Sequence, residues 1–400
     1  LDVEAIRLQF PALAGGLAAF DAPGGSQTPL PVIAAITDAL ANPLANRGRF
    51  TEGERNAERI VESARAAMAD FLGAEPEAVV FGSSATQLTY DFSRTLAVRW
   101  RPGDEVVVTR LDHDSNIRPW VQAAERAGAT VRWADFDPAT GELTAADIAA
   151  VLSEGTKLVA VTAASNLIGT LPPIPRIAAL AHQVGALLYV DGVHYATHRC
   201  VDLDELGADL FVCSPYKFFG PHLGVLAGRP SLLEQLRPDK LLPSTDAVPE
   251  RFELGTLPYE LLAGTRAAVD FLAALGGADS SASRRTQLIE SYAATEAHED
   301  ELRALLESGL AALPGVTLYS RAAERTPTLL LSIAGRDTVD AYRFLAGRGI
   351  AAPSSSFYAI EASRRLGLRD TGGLRIGLAP YNTAEDVSRL LTGLADFLSD

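Results

Sequence analysis

Lysine is scarce in this chain. It occurs only at Lys157, Lys217 and Lys240, so any lysine chemistry has three candidates. Lys217 follows an apolar run in Ser-Pro-Tyr-Lys and is flanked by Tyr216, Phe218 and Phe219. An apolar setting disfavours the ammonium form, and an unprotonated lysine can form a Schiff base with a carbonyl. Lys157 and Lys240 read as edge and loop lysines. Asp191 ends a second apolar run, where a carboxylate can orient a cationic group or a metal. His194 and His198 follow it, four residues apart and so on one face of a helix, which makes Asp191, His194 and His198 a candidate metal-ligand set. No Glu follows the first His as it does in zinc proteases. Ser83 and Ser84 sit between Gly82 and a helical stretch, where backbone N–H groups and hydroxyls can receive an anion; an ordinary helix cap would use the same residues. His113 lies in a polar loop and can stack on a planar group or move a proton. Arg375 sits in a short apolar strand and needs a partner there. A substrate carboxylate held by two hydrogen bonds and an internal acid fit equally well.

A scaffold must gather these residues. Between 76 and 227, short runs rich in Val, Leu, Phe or Tyr alternate with helical stretches. Strands are expected at Ala78–Phe81, Glu105–Thr109, Thr130–Ala134, Lys157–Thr162, Ala186–Asp191, Leu210–Ser214 and Gly224–Ala227. They lack strict alternation, as strands covered on both faces do. The expectation is an α/β fold with a doubly wound, mainly parallel seven-stranded sheet. In such sheets ligands bind beyond the carboxyl ends of the strands, and most of the residues above fall there. After Pro258 the pattern changes to the long helical stretches Glu260–Leu275 and Arg284–Leu313, strands near 317–319 and 328–333, and helices over 338–348 and from about 383, with Asn382 and Glu385 as its cap. That reads as a smaller α+β C-terminal domain. The division expected is 1–20 as a segment packing on the small domain, 21–258 as the large domain and 259–400 as the small one. Gly276–Ser283 is the most loop-like stretch of the second half.

The composition removes other classes. With 35 Lys+Arg against 50 Asp+Glu, the net charge of −15 argues against a broad nucleic-acid or anionic-membrane surface. No apolar run approaches the roughly 20 residues of a membrane span. The opening residues carry acids and lack the pattern of a secretory signal. Two cysteines exclude a disulfide scaffold and fit a reducing cytoplasm, the expected location.

An anion cup, a carboxylate, a lysine and an arginine in that order are the equipment for pyridoxal 5′-phosphate (PLP) and an amino acid. Val-Asp-Gly-Val-His at 190–194, Ser-Pro-Tyr-Lys at 214–217 and His-Asp-Ser-Asn-Ile-Arg-Pro-Trp at 113–120 resemble the fold-type I PLP enzymes of the class V aminotransferase group. Within it the chain looks most like the cysteine desulfurase and selenocysteine lyase branch, from about Phe20 onward. The resemblance implies that Lys217 forms the Schiff base with the cofactor and that Asp191 keeps the pyridine nitrogen protonated. By the same likeness His113 stacks on the ring, Asn166 lies near the ring hydroxyl, and His194 stands where many relatives have Gln. Ser83, Ser84 and Ser214 match phosphate ligands. Thr256 matches a phosphate contact lent by a second subunit, and residues 47–50, with Arg47, match a segment that reaches the neighbouring site. A homodimer with shared sites is therefore implied. Arg375 matches the substrate-carboxylate arginine, and Ser355 lies on the substrate side.

The chain departs from that branch at Tyr216, where relatives often have His before the lysine, and in one loop. Relatives that desulfurate cysteine carry a reactive Cys there, whereas 349–360 reads Gly-Ile-Ala-Ala-Pro-Ser-Ser-Ser-Phe-Tyr-Ala-Ile. The function expected is a lyase-like β- or γ-elimination on an amino acid. The expectation extends to a sulfur leaving group, as in a cysteine derivative or S-adenosylmethionine, and to trapping of the intermediate with a new C–C bond in a specialised pathway. The alternatives are an aminotransferase or amino-acid epimerase and, from another class, a metal-dependent hydrolase using Asp191, His194 and His198.

Overall fold

The computed structural model describes residues 1–277, 279 and 281–399. Its centre is a seven-stranded sheet of β1 (Val79–Gly82), β2 (Glu105–Thr109), β3 (Thr130–Ala134), β4 (Thr156–Thr162), β5 (Leu187–Asp191), β6 (Leu210–Cys213) and β7 (Gly224–Gly228). The order across the sheet is β1-β7-β6-β5-β4-β2-β3. β7 runs antiparallel to both neighbours, and the other pairs are parallel. The expected α/β fold and mainly parallel sheet are therefore present. Both faces are covered. Val107, Val159, Val161, Leu188 and Phe211 pack into one layer. Val106, Val108, Leu158, Tyr189 and Val212 pack into the other. This two-sided burial explains why the strands read as unbroken apolar runs.

Seven helices matter for the site: α1 (Leu30–Ala41), α2 (Glu52–Leu72), α3 (Ala85–Ala97), α4 (Arg118–Ala127), α5 (Tyr259–Ala274), α6 (Arg284–Ala311) and α7 (Ala384–Ser399). α2 starts with a capping box between Thr51 and Glu54 and stops at left-handed Gly73. α5 packs on α1 and α2, and its Leu262, Val269 and Leu272 join the core of the large sheet. The large core therefore continues past residue 258. It changes hands within α6, where Leu288 and Tyr292 face the large core and Leu302, Leu306 and Leu310 a second one.

That second core backs an antiparallel sheet of β8 (Val316–Leu318), β9 (Thr328–Ile333), β10 (Ser354–Ser355) and β11 (Gly373–Gly377), ordered β10-β11-β9-β8. α7 covers it with Val387, Leu390 and Leu394. The cap of α7 lies one residue beyond the expected pair: Thr383 and Asp386 exchange hydrogen bonds. Asn382 instead binds Ala379 N and Ala19 O. The segment 1–20 touches both units. Ile6, Phe10 and Leu13 enter the large core, whereas Ala18 and Phe20 enter the small one. Ala18–Ala19 pairs in parallel with Ile350–Ala351. The loop-like stretch 276–283 contains residues 278 and 280, which lie outside the described residues.

Candidate active site

The carboxyl ends of β1, β2, β4, β5 and β6 open on one edge of the sheet, and the start of β7 meets them there. A cavity of about 690 Å³ lies over this edge and is closed on its other side by residues of the small sheet. The size suits a cofactor together with a small substrate.

Asp191 ends β5 and is 5% exposed. Its Oδ1 accepts a hydrogen bond from Val193 N at 2.9 Å. Burial raises its pKa to about 6, because a carboxylate loses hydration without gaining a close cation. Lys217 follows β6 on a single 3₁₀ turn, Pro215–Lys217. Its Nζ donates to Pro23 O at 2.5 Å and Gly24 O at 3.0 Å. Burial, with help from the charge of Arg375, lowers its pKa to about 7. The local sequence arranges this: an apolar strand ends, and proline-led turn geometry brings the lysine back over the sheet edge.

His113 follows β2. Its Nδ1 accepts from Ser115 N at 3.1 Å, which places the proton of the neutral ring on Nε2. Burial lowers its pKa to about 4, and the charges of Lys217 and Arg375 add to the effect. Beneath this loop Asp112 accepts from Asn116 Nδ2 at 2.6 Å, and Asn116 Oδ1 accepts from Trp120 Nε1 at 3.0 Å. The ring of Tyr358 stacks on His113 with centroids 5.5 Å apart.

Ser84 caps α3, accepting from Gln87 N at 3.0 Å, and lines the cavity with Ala85 and Thr86. β7 can come this close only through glycine: a Cβ on Gly224 would stand 2.3 Å from the Ser84 carbonyl carbon. Ser214 also lines the cavity. Ser83 is exposed and lies outside the wall. Thr86 was not singled out in the sequence; its place in the first turn after the Ser84 cap is the signal that identifies it.

Asn166 Nδ2 donates to Phe357 O at 2.9 Å, while its buried Oδ1 has no partner. His194 lines the cavity, with Nε2 at 3.1 Å from Thr326 Oγ1 and 2.9 Å from Thr328 Oγ1. His198 packs edge-on against the His194 ring, with centroids 4.9 Å apart, and its Nδ1 lies 2.8 Å from Glu299. The two imidazoles thus serve different partners, which overturns the metal-ligand reading of Asp191, His194 and His198. Among the described residues no cluster of three His, Cys, Asp or Glu is placed to hold a metal ion.

Arg375 lies in β11 and is almost fully buried. Nη2 pairs with Asp21 at 2.9 Å and Nη1 donates to Asn166 O at 3.0 Å. The Phe357 ring lies 3.6 Å over its guanidinium. The internal acid weighed as an alternative is therefore present, in a residue that the sequence did not single out. Ser355, Phe357 and Tyr358 complete the roof. Arg47 pairs with Glu58 and Glu250 at 2.8 and 3.3 Å, outside the cavity. Thr256 is exposed and also lies outside the cavity of its own chain.

Residues 18–390 match the family described as aminotransferase class-V. The chain belongs to that family. A probable cysteine desulfurase of Pseudomonas aeruginosa is 32% identical over 97% of this chain and 96% of its own length. An aminotransferase-like protein of Gibberella zeae is 32% identical over 98% and 97%. A crystal structure of an Escherichia coli cysteine desulfurase superposes with a TM-score of 0.88 at 26% identity, covering 100% of this chain and 99% of that one. Members of this family use PLP, and the protein is a PLP-dependent enzyme of fold type I. The donor set fits that cofactor. The buried carboxylate of Asp191 lacks a close cation, which a protonated pyridine nitrogen supplies. The first turn of α3, with Ser84 and Thr86, offers N–H and hydroxyl groups to a phosphate. Asn166 Oδ1 is a spare acceptor for a ring substituent. Lys217 supplies the amine.

Proposed function

We propose that the protein removes a leaving group from an amino acid by a lyase-like β- or γ-elimination, without a protein thiol as acceptor. The observation that carries this reading is the chemistry of the cavity wall. It presents a buried amine, a buried acid and an arginine, but no cysteine. Cys213 is fully buried in β6, and burial pushes its thiol far above the usual range. Cys200 lies outside the cavity and its pKa is also raised by burial. The loop that holds the reactive Cys in desulfurases corresponds by resemblance to 349–360, which gives the cavity Pro353, Ser355, Phe357 and Tyr358.

When bound, PLP supplies a carbonyl for the amine and a cationic ring that accepts the electrons released at Cα. Asp191, deprotonated beside that cation, holds the ring nitrogen's proton. Lys217, its pKa already lowered by burial, would take and return the Cα proton. His113 would offer a neutral imidazole, its proton on Nε2, to the face of the ring. Arg375 orients the substrate carboxylate. An elimination needs only these groups. From a cysteine derivative the β-sulfur would depart as a thiol once the Cα proton is removed; from S-adenosylmethionine methylthioadenosine would depart from Cγ after a further proton is taken from Cβ, for which Lys217 is again the available base, and the unsaturated product could then be captured with a new C–C bond.

Product analysis tests the reading. A 2-keto acid with ammonia, or a condensation product, supports elimination. Accumulation of the pyridoxamine form supports the aminotransferase alternative, and solvent deuterium at Cα without product loss supports epimerisation. A Cys200→Ser, Cys213→Ser double variant should keep its turnover. A fall of orders of magnitude with PLP still bound would show that a cysteine is catalytic. We further propose a homodimer with shared sites, since Arg47 and Thr256 stand apart from their own cavity. Mixing Lys217→Ala chains with Thr256→Ala chains should restore part of the activity lost by each.

A further inference from the structure

Arg375 is covered on two sides in the resting site. Asp21 holds Nη2 at 2.9 Å, and the Phe357 ring lies 3.6 Å over the guanidinium plane. Its Nε is buried without a hydrogen-bond partner. An unpaired buried N–H of a charged group is costly, so this edge of the guanidinium is unspent binding capacity. A carboxylate that displaced Asp21 would take Nη2 and Nε together, in the two-bond geometry that arginine favours. The acidic cover is open to solvent. The Asp21 side chain is 44% exposed, which limits what the ion pair contributes. Phe357 and Tyr358 have φ of 51° and 59°, a left-handed backbone that bulky residues adopt only at a cost.

We propose that Asp21 is a latch on Arg375, a positioning residue that keeps the guanidinium in place and yields it to the substrate carboxylate. The inference rests on the reading of Arg375 as the carboxylate site. Affinity for a carboxylate is then set by competition with a resident one. Asp21→Asn removes the competitor and its negative charge, and should tighten binding. Gly24 provides an uncharged route to the same end. A Cβ at Gly24 would stand 2.5–2.7 Å from the Asp21 carboxyl group, the mobile end of a side chain, so Gly24→Ala should push the latch aside with no change in charge.

The test uses PLP-loaded dimeric enzyme titrated with L-alanine and with L-alaninamide, followed by calorimetry and by cofactor absorbance. For L-alanine, Kd should fall about three- to fivefold in Asp21→Asn, the size of a partly exposed ion pair. Gly24→Ala should move it in the same direction, and Asp21→Glu should restore the wild-type value. L-Alaninamide, which has no carboxylate, should be unaffected by any of them. Unchanged or weaker L-alanine binding in Asp21→Asn, equal effects on both ligands, or no detectable L-alanine binding in that variant overturns the latch. Arg375→Gln separates the two claims. If it binds L-alanine as well as wild type does, the carboxylate reading itself fails. If it loses L-alanine while Asp21→Asn gains nothing, the latch alone fails.

Discussion

The floor and the roof of the cavity are built in opposite ways. The floor is the edge of a sheet buried on both faces, and each of its side chains follows directly from the end of a strand: Asp191 after β5, Lys217 after β6, His113 after β2. The roof, 353–358, is a short strand and a loop with two left-handed non-glycine residues. It is pinned to the floor by Asn166 Nδ2 to Phe357 O and by Asp114 N to Tyr358 O. On the proposed reading the floor carries the chemistry and the roof shapes the space for the substrate.

If that division holds, floor substitutions should remove turnover and roof substitutions should redistribute it. Lys217→Ala should cut turnover about 10²–10⁴-fold, the range for a lost proton-transfer group. It should also abolish borohydride-reducible attachment of the cofactor, while Lys157→Ala and Lys240→Ala retain it; attachment persisting in Lys217→Ala breaks the assignment. Asp191→Asn should keep the fold, bind PLP more weakly and lose about 10²- to 10³-fold in turnover, as when a placed charge is removed from a reacting centre. Near-normal turnover in that variant would remove the floor's acid from the mechanism.

The floor also carries a stability signature. The pKa of Lys217 is lowered from 10.5 to about 7 in the folded, cofactor-free protein. Between these values the unfolded chain binds more protons, so this residue makes stability rise with pH, by up to about 1.4 kcal/mol per pH unit. Below about 7 both states hold the proton and the contribution is flat. Chemical denaturation of the apoprotein and of Lys217→Met over pH 7–10 should show the difference in slope; parallel curves would mean that the ammonium is not disfavoured. The smallest effect belongs to the roof. Tyr358→Ala should let water reach His113 and raise its pKa from about 4 toward the ordinary imidazole value, read by NMR titration, with only a few-fold change in turnover.

The same division governs what the sequence revealed. Lys217, Asp191 and His113 were legible because a strand end fixes where the next side chain goes, and the seven strands announce themselves as apolar runs. Asp21 was not, because its role depends on β11, which lies at the other end of the chain. Thr86 was hidden behind the two serines before it, although the helix N-terminus that holds Ser84 also presents it. The histidine pair spaced for one helical face was legible but misleading: the helix is a single turn, Tyr195–His198, and Glu299 on α6 claims one ring. Helices α1 and α2 were not anticipated. Their apolar faces are matched to α5, which read as part of the small domain although it packs on the large core.

The strap formed by Ala18–Asp21 has a consequence for synthesis. It lies between Ile350–Ala351 and Arg375, and its ion pair joins residues 354 positions apart. At a translation rate of about 5–20 residues per second, the strap waits roughly 20–70 s for its partners to be made. Late in that interval the ribosome-bound chain already has the lysine and the acid of the floor, while Arg375 is still to be made. The cavity gains its guanidinium only when β11, made long after the strap, closes on it.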